Sequence, residues 1–205
     1  MFALIAIICL GFFLGMRHAT DADHVIAVST IVSRERSIRS AVLIGALWGL
    51  GHTLTLMAAG GAIILFGLVI PPRLSMSMEF SVGLMLILLG VWNLKRHDGP
   101  NPAQTVRPFV VGVVHGMAGS AALALLVLPM IHNPYLAIVY LSIFGLGTIA
   151  GMMLITTAIA WPFASTVARS AVLHRRLGLA SGFISLGFGL FMVYQIGFVQ
   201  GLLTK

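Results

Sequence analysis

Apolar residues fill six long windows along the chain, separated by short polar or Pro-containing breaks. The windows at 3–32, 40–70, 76–94, 108–131, 135–163 and 178–202 match the ~20 residues that carry a helix across a bilayer. The breaks hold the residues that stop helices. Residues 33–40 are rich in Arg and Ser, Pro71-Pro72 ends the second window, Gly99-Pro100 and Pro102 follow the third, and His132-Asn133-Pro134 makes a tight turn before the fifth. The pattern predicts an all-α integral membrane protein with six transmembrane helices in a single membrane domain, 1–205.

Three windows fill residues 1–95 and three fill 108–205, with a connection at 96–107, so the halves invite comparison. Gly15-Met16-Arg17-His18 aligns with Gly112-Val113-Val114-His115 at an offset of 97, and Gly49-Leu50-Gly51 with Gly145-Leu146-Gly147 at 96. Gly83 and Gly90 align with Gly182 and Gly189 at 99. An odd number of spans per half makes the second half enter from the opposite side. The expected architecture is therefore two inverted three-helix repeats, an arrangement common among secondary transporters, with a substrate site near the bilayer midplane.

Composition agrees with lipid as the solvent: of 205 residues 59% are apolar and 8% charged, against about 25% charged in soluble domains. A soluble enzyme, a disordered tail and a disulfide scaffold are excluded, and the lone Cys9 has no internal partner. Residues 1–16 lack the basic start and small-residue cleavage pattern of a secretory signal, so they are expected to remain as the first helix. The net charge of +7 is a topology label rather than a nucleic-acid surface. With alternating helices, Arg34, Arg36, Arg39, Lys95, Arg96, Arg107, Arg169, Arg175 and Arg176 share one side, and only Arg73 and Lys205 lie on the other. That bias makes 96–107 a cytoplasmic connection of a protein in the cell (inner) membrane and puts both termini outside the cytoplasm.

Arg17-His18-Ala19-Thr20-Asp21-Ala22-Asp23-His24 places five ionisable groups inside the first apolar window. Each intramembrane Asp costs about 2.5–3.5 kcal/mol on insertion scales, so function is the default reading. On a continuous helix His18, Asp21 and His24 fall within an arc of about 120°, while Asp23 points some 140° from His18. His18 and His24 are then about 9 Å apart along the axis, so one ion binds both only with extended rotamers, local unwinding or ligands from a second helix. His52 in the second window is the best cross-helix candidate, and His115 is the repeat mate of His18. Nitrogen and carboxylate donors without thiolate suit divalent first-row metals such as nickel, cobalt or zinc. Asp23 is placed to ligate, to orient a His or to pair with Arg17. His97, His132 and His174 are expected to be solvated, and Ser120 lacks a general base, so no enzyme is expected.

The octapeptide resembles the signature of the nickel/cobalt transporter family, His-x4-Asp-His within Arg-His-Ala-x-Asp-Ala-Asp-His, with Thr20 at the variable position. Leu50-Gly51-His52-Thr53 is similar to that family's Leu-Gly-His-Ser/Thr motif. The resemblance is strongest over residues 11–56 and implies a permease that moves Ni²⁺ or Co²⁺ through a site containing His18, Asp21, Asp23 and His24, with His52 close by. The family's later acidic motifs have no counterpart in 114–122 or 145–155, and His115-Gly116-Met117-Ala118-Gly119-Ser120 looks like the short six-helix branch associated with urease-accessory membrane proteins.

The expected function is secondary-type transport of a divalent metal ion, with metal sites at His18, Asp21, Asp23, His24, His52 and His115. The metal is substrate and no prosthetic group is expected. The bilayer and the ion are the expected partners, nucleic acid is not, and a second copy or metal-enzyme maturation proteins are further candidates. Two alternatives remain open: an accessory membrane subunit for metal delivery, and a redox protein holding haem between His52 and His115.

Overall fold

The computed structural model describes residues 2–33, 35, 37–68, 70–95, 106–117, 131, 133–167 and 170–204. Within them lie seven α-helices and no strand: α1 (Phe2–His18), α2 (Ala22–Val32), α3 (Ile38–Phe66), α4 (Pro72–Lys95), α5 (Val106–Met117), α6 (Pro134–Val167) and α7 (Ala171–Tyr194). A π-helical turn, Gln195–Val199, continues α7. Helices α3, α4, α6 and α7 are long and apolar enough to cross a membrane, while α1, α2 and α5 are shorter apolar helices. Leu88, Leu146, Trp161, Phe183 and Phe191 point outward along them, a surface that lipid solvates and water would not. The four long helices make this an integral membrane protein. Ser120, His97, His132, most of the 96–107 connection and the second half of the fourth window lie outside the described residues.

Local chemistry moves several expected boundaries. The first window is two helices rather than one, because the chain leaves helical geometry over residues 19–21. Asp21 is extended (φ −60°, ψ 146°) and stands at the N-cap of α2, a position its residue type favours. Helix α3 ends at Phe66 because Gly67 adopts φ +61°, the left-handed turn that glycine closes most easily. Pro72 opens α4 four residues earlier than its hydropathy suggests, since a first-turn proline forfeits no helical hydrogen bond. In α7 the start moves from 178 to Ala171, where the Ser170 hydroxyl accepts from the Leu173 N–H at 3.3 Å. His174, expected in a solvated connection, is therefore half-buried in the first turn of α7.

Glycines set how the helices cross. A Cβ on Gly15 would strike the Phe144 carbonyl and the Thr148 amide of α6, and one on Gly112 would strike the Trp48 carbonyl and the His52 amide of α3. Gly147 meets the Phe12 carbonyl, and Gly51 meets that of Phe109. Gly90 abuts Gly182 and Leu186, while Gly189 abuts Gly83 and Ile87. These contacts make α1 parallel to α6 and α3 parallel to α5, whereas α3 runs against α6 and α4 against α7. Among the described basic residues, Arg39, Lys95, Arg107, Arg175 and Arg176 consequently sit at helix ends on one face, and Arg73 on the other.

A buried polar knot ties α2, α4 and α7 near the basic face. The Asn93 amide donates to Ser33 Oγ (3.2 Å), the Gly178 carbonyl (2.9 Å) and Ser181 Oγ (3.2 Å), and the Thr30 hydroxyl reaches the Ser181 carbonyl at 3.2 Å. Removing Asn93 takes the donor from Ser33 Oγ and Ser181 Oγ, and leaves the Gly178 carbonyl with the Ser181 hydroxyl (2.9 Å), in a site that excludes water. Asn93→Ala is expected to lower stability by about 1–3 kcal/mol, read as a lower melting temperature in detergent.

Candidate metal centre

The break between α1 and α2 converts a helical stripe into a convergent cluster. His18, the last residue of α1, and His24, in the first turn of α2, have ring centroids only 4.7 Å apart. The separation of about 9 Å along a straight helix has collapsed. His52 arrives from α3, with centroids 5.0 Å from His18 and 5.3 Å from His24, and His115 from α5, 4.1 Å from His24. All four imidazoles are buried, three of them completely.

The carboxylates point differently from the helical-wheel expectation. Asp21 Oδ2 contacts His18 Nδ1 at 2.9 Å, and the Asp21 side chain is more exposed than any of the imidazoles. Asp23, expected to face away, turns inward: Oδ1 meets His24 Nδ1 at 3.1 Å and Oδ2 meets His115 Nε2 at 2.9 Å. The physical reason is the turn at 19–21, which resets the direction of every side chain beyond it. Asp23 also lies in the first turn of α2, where the helix dipole favours negative charge. Arg17 is exposed, away from this pairing.

An ionised carboxylate only accepts, so each of these contacts draws a ring proton to one nitrogen and leaves a lone pair on the other. Asp21 leaves His18 Nε2 bare; Asp23 leaves His24 Nε2 and His115 Nδ1 bare. The last two atoms are buried without a hydrogen-bond partner among the described residues, as is His52 Nδ1. Carboxylate, imidazole and open lone pair in series is the arrangement that orients and strengthens histidine ligands of a metal.

Two overlapping groups can each hold an ion: His18, His24 and His52, and Asp23, His24 and His115, with ligand atoms within 4.8 Å of one another. His18 Nε2 and His52 Nε2 are 3.1 Å apart. At the ~2.05 Å typical of imidazole on a first-row ion, that spacing subtends roughly 100° at the metal, as expected for adjacent ligands. A haem between His52 and His115 fits poorly. Their centroids are 6.4 Å apart, but the His24 ring packs against both and all three are fully buried, which leaves no slot for a macrocycle.

Two aromatic residues that the sequence reading passed over complete the walls. Trp48 lies nearly parallel to His24 (5.9 Å, 11°) and 5.7 Å from His115, and Phe144 lies 5.7 Å from His18. Trp48 precedes His52 by four residues, which puts the two on one helical face, a signal available from spacing alone.

The urease accessory protein UreH of Bacillus sp. (strain TB-90) is 38% identical over a 218-residue alignment that covers 97% of this chain and 95% of that one. The chain belongs to the UreH family of urease accessory proteins. No family profile and no solved structure matches it. The UreH relative is named for an accessory role, which agrees with the expectation that the chain is not an enzyme.

Proposed function

We propose that this UreH-family protein is a secondary-type transporter of divalent transition-metal ions, nickel or cobalt, bound by His18, His24 and His52 with His115 adjacent. The observation that carries the reading is the 3.1 Å approach of His18 Nε2 and His52 Nε2 from different helices, backed by Asp21 on the far nitrogen of His18. In this reading, with the ion in the first group, Asp21 acts through His18, and Asp23 acts through His24 and His115. The ion enters the second group by exchanging His18 and His52 for Asp23 and His115 while His24 remains.

The transport reading uses a six-span inverted repeat, with both termini outside and the basic face cytoplasmic. Reciprocal contacts support it: Gly15 meets Phe144 and Thr148, and its mate Gly112 meets their mates Trp48 and His52. A second reading, metal delivery to urease as an accessory subunit, is favoured by the UreH relative's name. Uptake of nickel into vesicles containing the pure protein separates the two, since a delivery subunit moves none alone.

Occupancy is testable without transport. The chain has three tryptophans, so Trp92→Phe with Trp161→Phe leaves only Trp48 beside the cluster. Ni²⁺ and Co²⁺ are expected to quench its emission saturably, and Zn²⁺, with a filled d shell, to bind without comparable quenching. Absence of quenching by both Ni²⁺ and Co²⁺ would place the ion elsewhere. Protons compete for the same lone pairs, so affinity measured this way is expected to weaken from pH 7.5 to 5.5.

A further inference from the structure

Trp48 and Phe144 occupy matching places in the two halves. They are sequence mates at the offset of 96 that relates Gly49 to Gly145, and each lies ten residues into its helix, Trp48 from Ile38 and Phe144 from Pro134. Because α3 and α6 run in opposite directions, the two rings stand about 15 Å in from opposite faces. Each is one turn short of a residue at the level of the cluster, His52 for Trp48 and its mate Thr148 for Phe144. Both rings are essentially without solvent exposure, 0% and 1%, and both lie against the cluster, Trp48 on His24 and His115 and Phe144 on His18. One turn further toward each face, the mates Ile44 and Tyr140 add a second buried layer.

From this placement we propose that Trp48 and Phe144 are the paired gates of the ion path, Trp48 toward the basic face and Phe144 toward the face carrying Arg73. The proposal rests on the transport reading and adds the residues that make access alternate. A divalent ion crosses an apolar layer only at prohibitive desolvation cost, so a buried ring between cluster and solvent is a barrier by itself. Neither ring is tied shut by a hydrogen bond: Phe144 has no polar atom, and Trp48 Nε1 has no partner among the described residues. The backbone under each ring is clasped by the other half, Gly112 against the Trp48 carbonyl and Gly15 against that of Phe144. A shift at the α3–α5 crossing therefore carries Trp48, and one at the α1–α6 crossing carries Phe144. Among the described residues, each seated ring stands between the cluster and the start of its own helix.

The test is release of bound radioactive nickel from the full-length protein, uniformly oriented in vesicles, into chelator on one side at a time. Wild type is expected to release slowly to both sides. Phe144→Ala should speed release at least about tenfold, toward the Arg73 face only, and Trp48→Ala by a similar factor toward the basic face only. A lowered gate speeds entry and exit together, so the dissociation constant should change far less than either rate. Trp48→Phe and Phe144→Trp, which restore a plate, should return release toward wild type. If an alanine variant does not fold, Trp48→Leu and Phe144→Leu must show the same sidedness with a smaller rise. Normal nickel binding with unchanged release, or release to the same side from both variants, overturns the gates while the transport reading stands. A wild type with no nickel isotherm overturns the transport reading itself, and the gates fall with it.

Discussion

Replacing His24 with alanine is expected to lower nickel and cobalt affinity by at least about 100-fold and to abolish accumulation in cells. His24 is shared by both three-residue groups and packs against His18, His52 and His115, so its loss dismantles either way of holding an ion. The magnitude follows from comparison with outer carboxylates, whose loss alone costs about 10–100-fold in metal affinity. Asp23→Asn should fall within that lower range. It keeps the shape but weakens the acceptor that holds His24 and His115 in their metal-ready tautomers. His115→Ala should cost less than His24→Ala because the His18, His24 and His52 group survives. Isothermal titration in detergent orders the three variants, and an affinity for His24→Ala equal to wild type would remove His24 from the site.

Gly15→Leu and Gly112→Leu are expected to abolish folded protein, read as loss of the monodisperse peak on size exclusion. At both positions even a Cβ would collide with a carbonyl of the facing helix, so helix separation and not side-chain adjustment is required. Alanine at either site should destabilise by about 1–3 kcal/mol, the usual cost of overpacking. The two alanine variants should lose similar amounts, since each crossing repeats the other. Gly187→Ala is the contrasting case. Nothing lies within 4 Å of its added Cβ, and relieving glycine's backbone freedom in a helix should stabilise by about 0.5–1 kcal/mol.

The membrane class and the residues that meet at the centre were legible in the chain, because hydrophobic windows and intramembrane charges are large energetic signals. Glycine spacing carried more than it first suggests. Gly15, Gly112, Gly147 and Gly51, aligned on identity alone, make reciprocal contacts with Phe144, Trp48, Phe12 and Phe109. The interior geometry was harder. A helical wheel assumes an unbroken helix, and the turn at Ala19 to Asp21 brings Asp23 inward while Asp21, the N-cap residue of α2, gives its carboxylate to His18 instead of capping. Phe144 reads as an ordinary apolar residue until its mate Trp48, four residues before His52, is known. Asn93 gave no sequence signal, since its partners Ser33, Gly178 and Ser181 come from distant helices.

The most direct test of the metal assignment is a structure of the protein with Ni²⁺ or Co²⁺, the ion located by its anomalous scattering. One strong peak is expected about 2.1 Å from the ring nitrogens of His18, His24 and His52, with Asp21 and Asp23 on the far side of the imidazoles. A peak bound outside the His18, His24, His52 and His115 cluster, or none at saturating metal, would contradict that assignment.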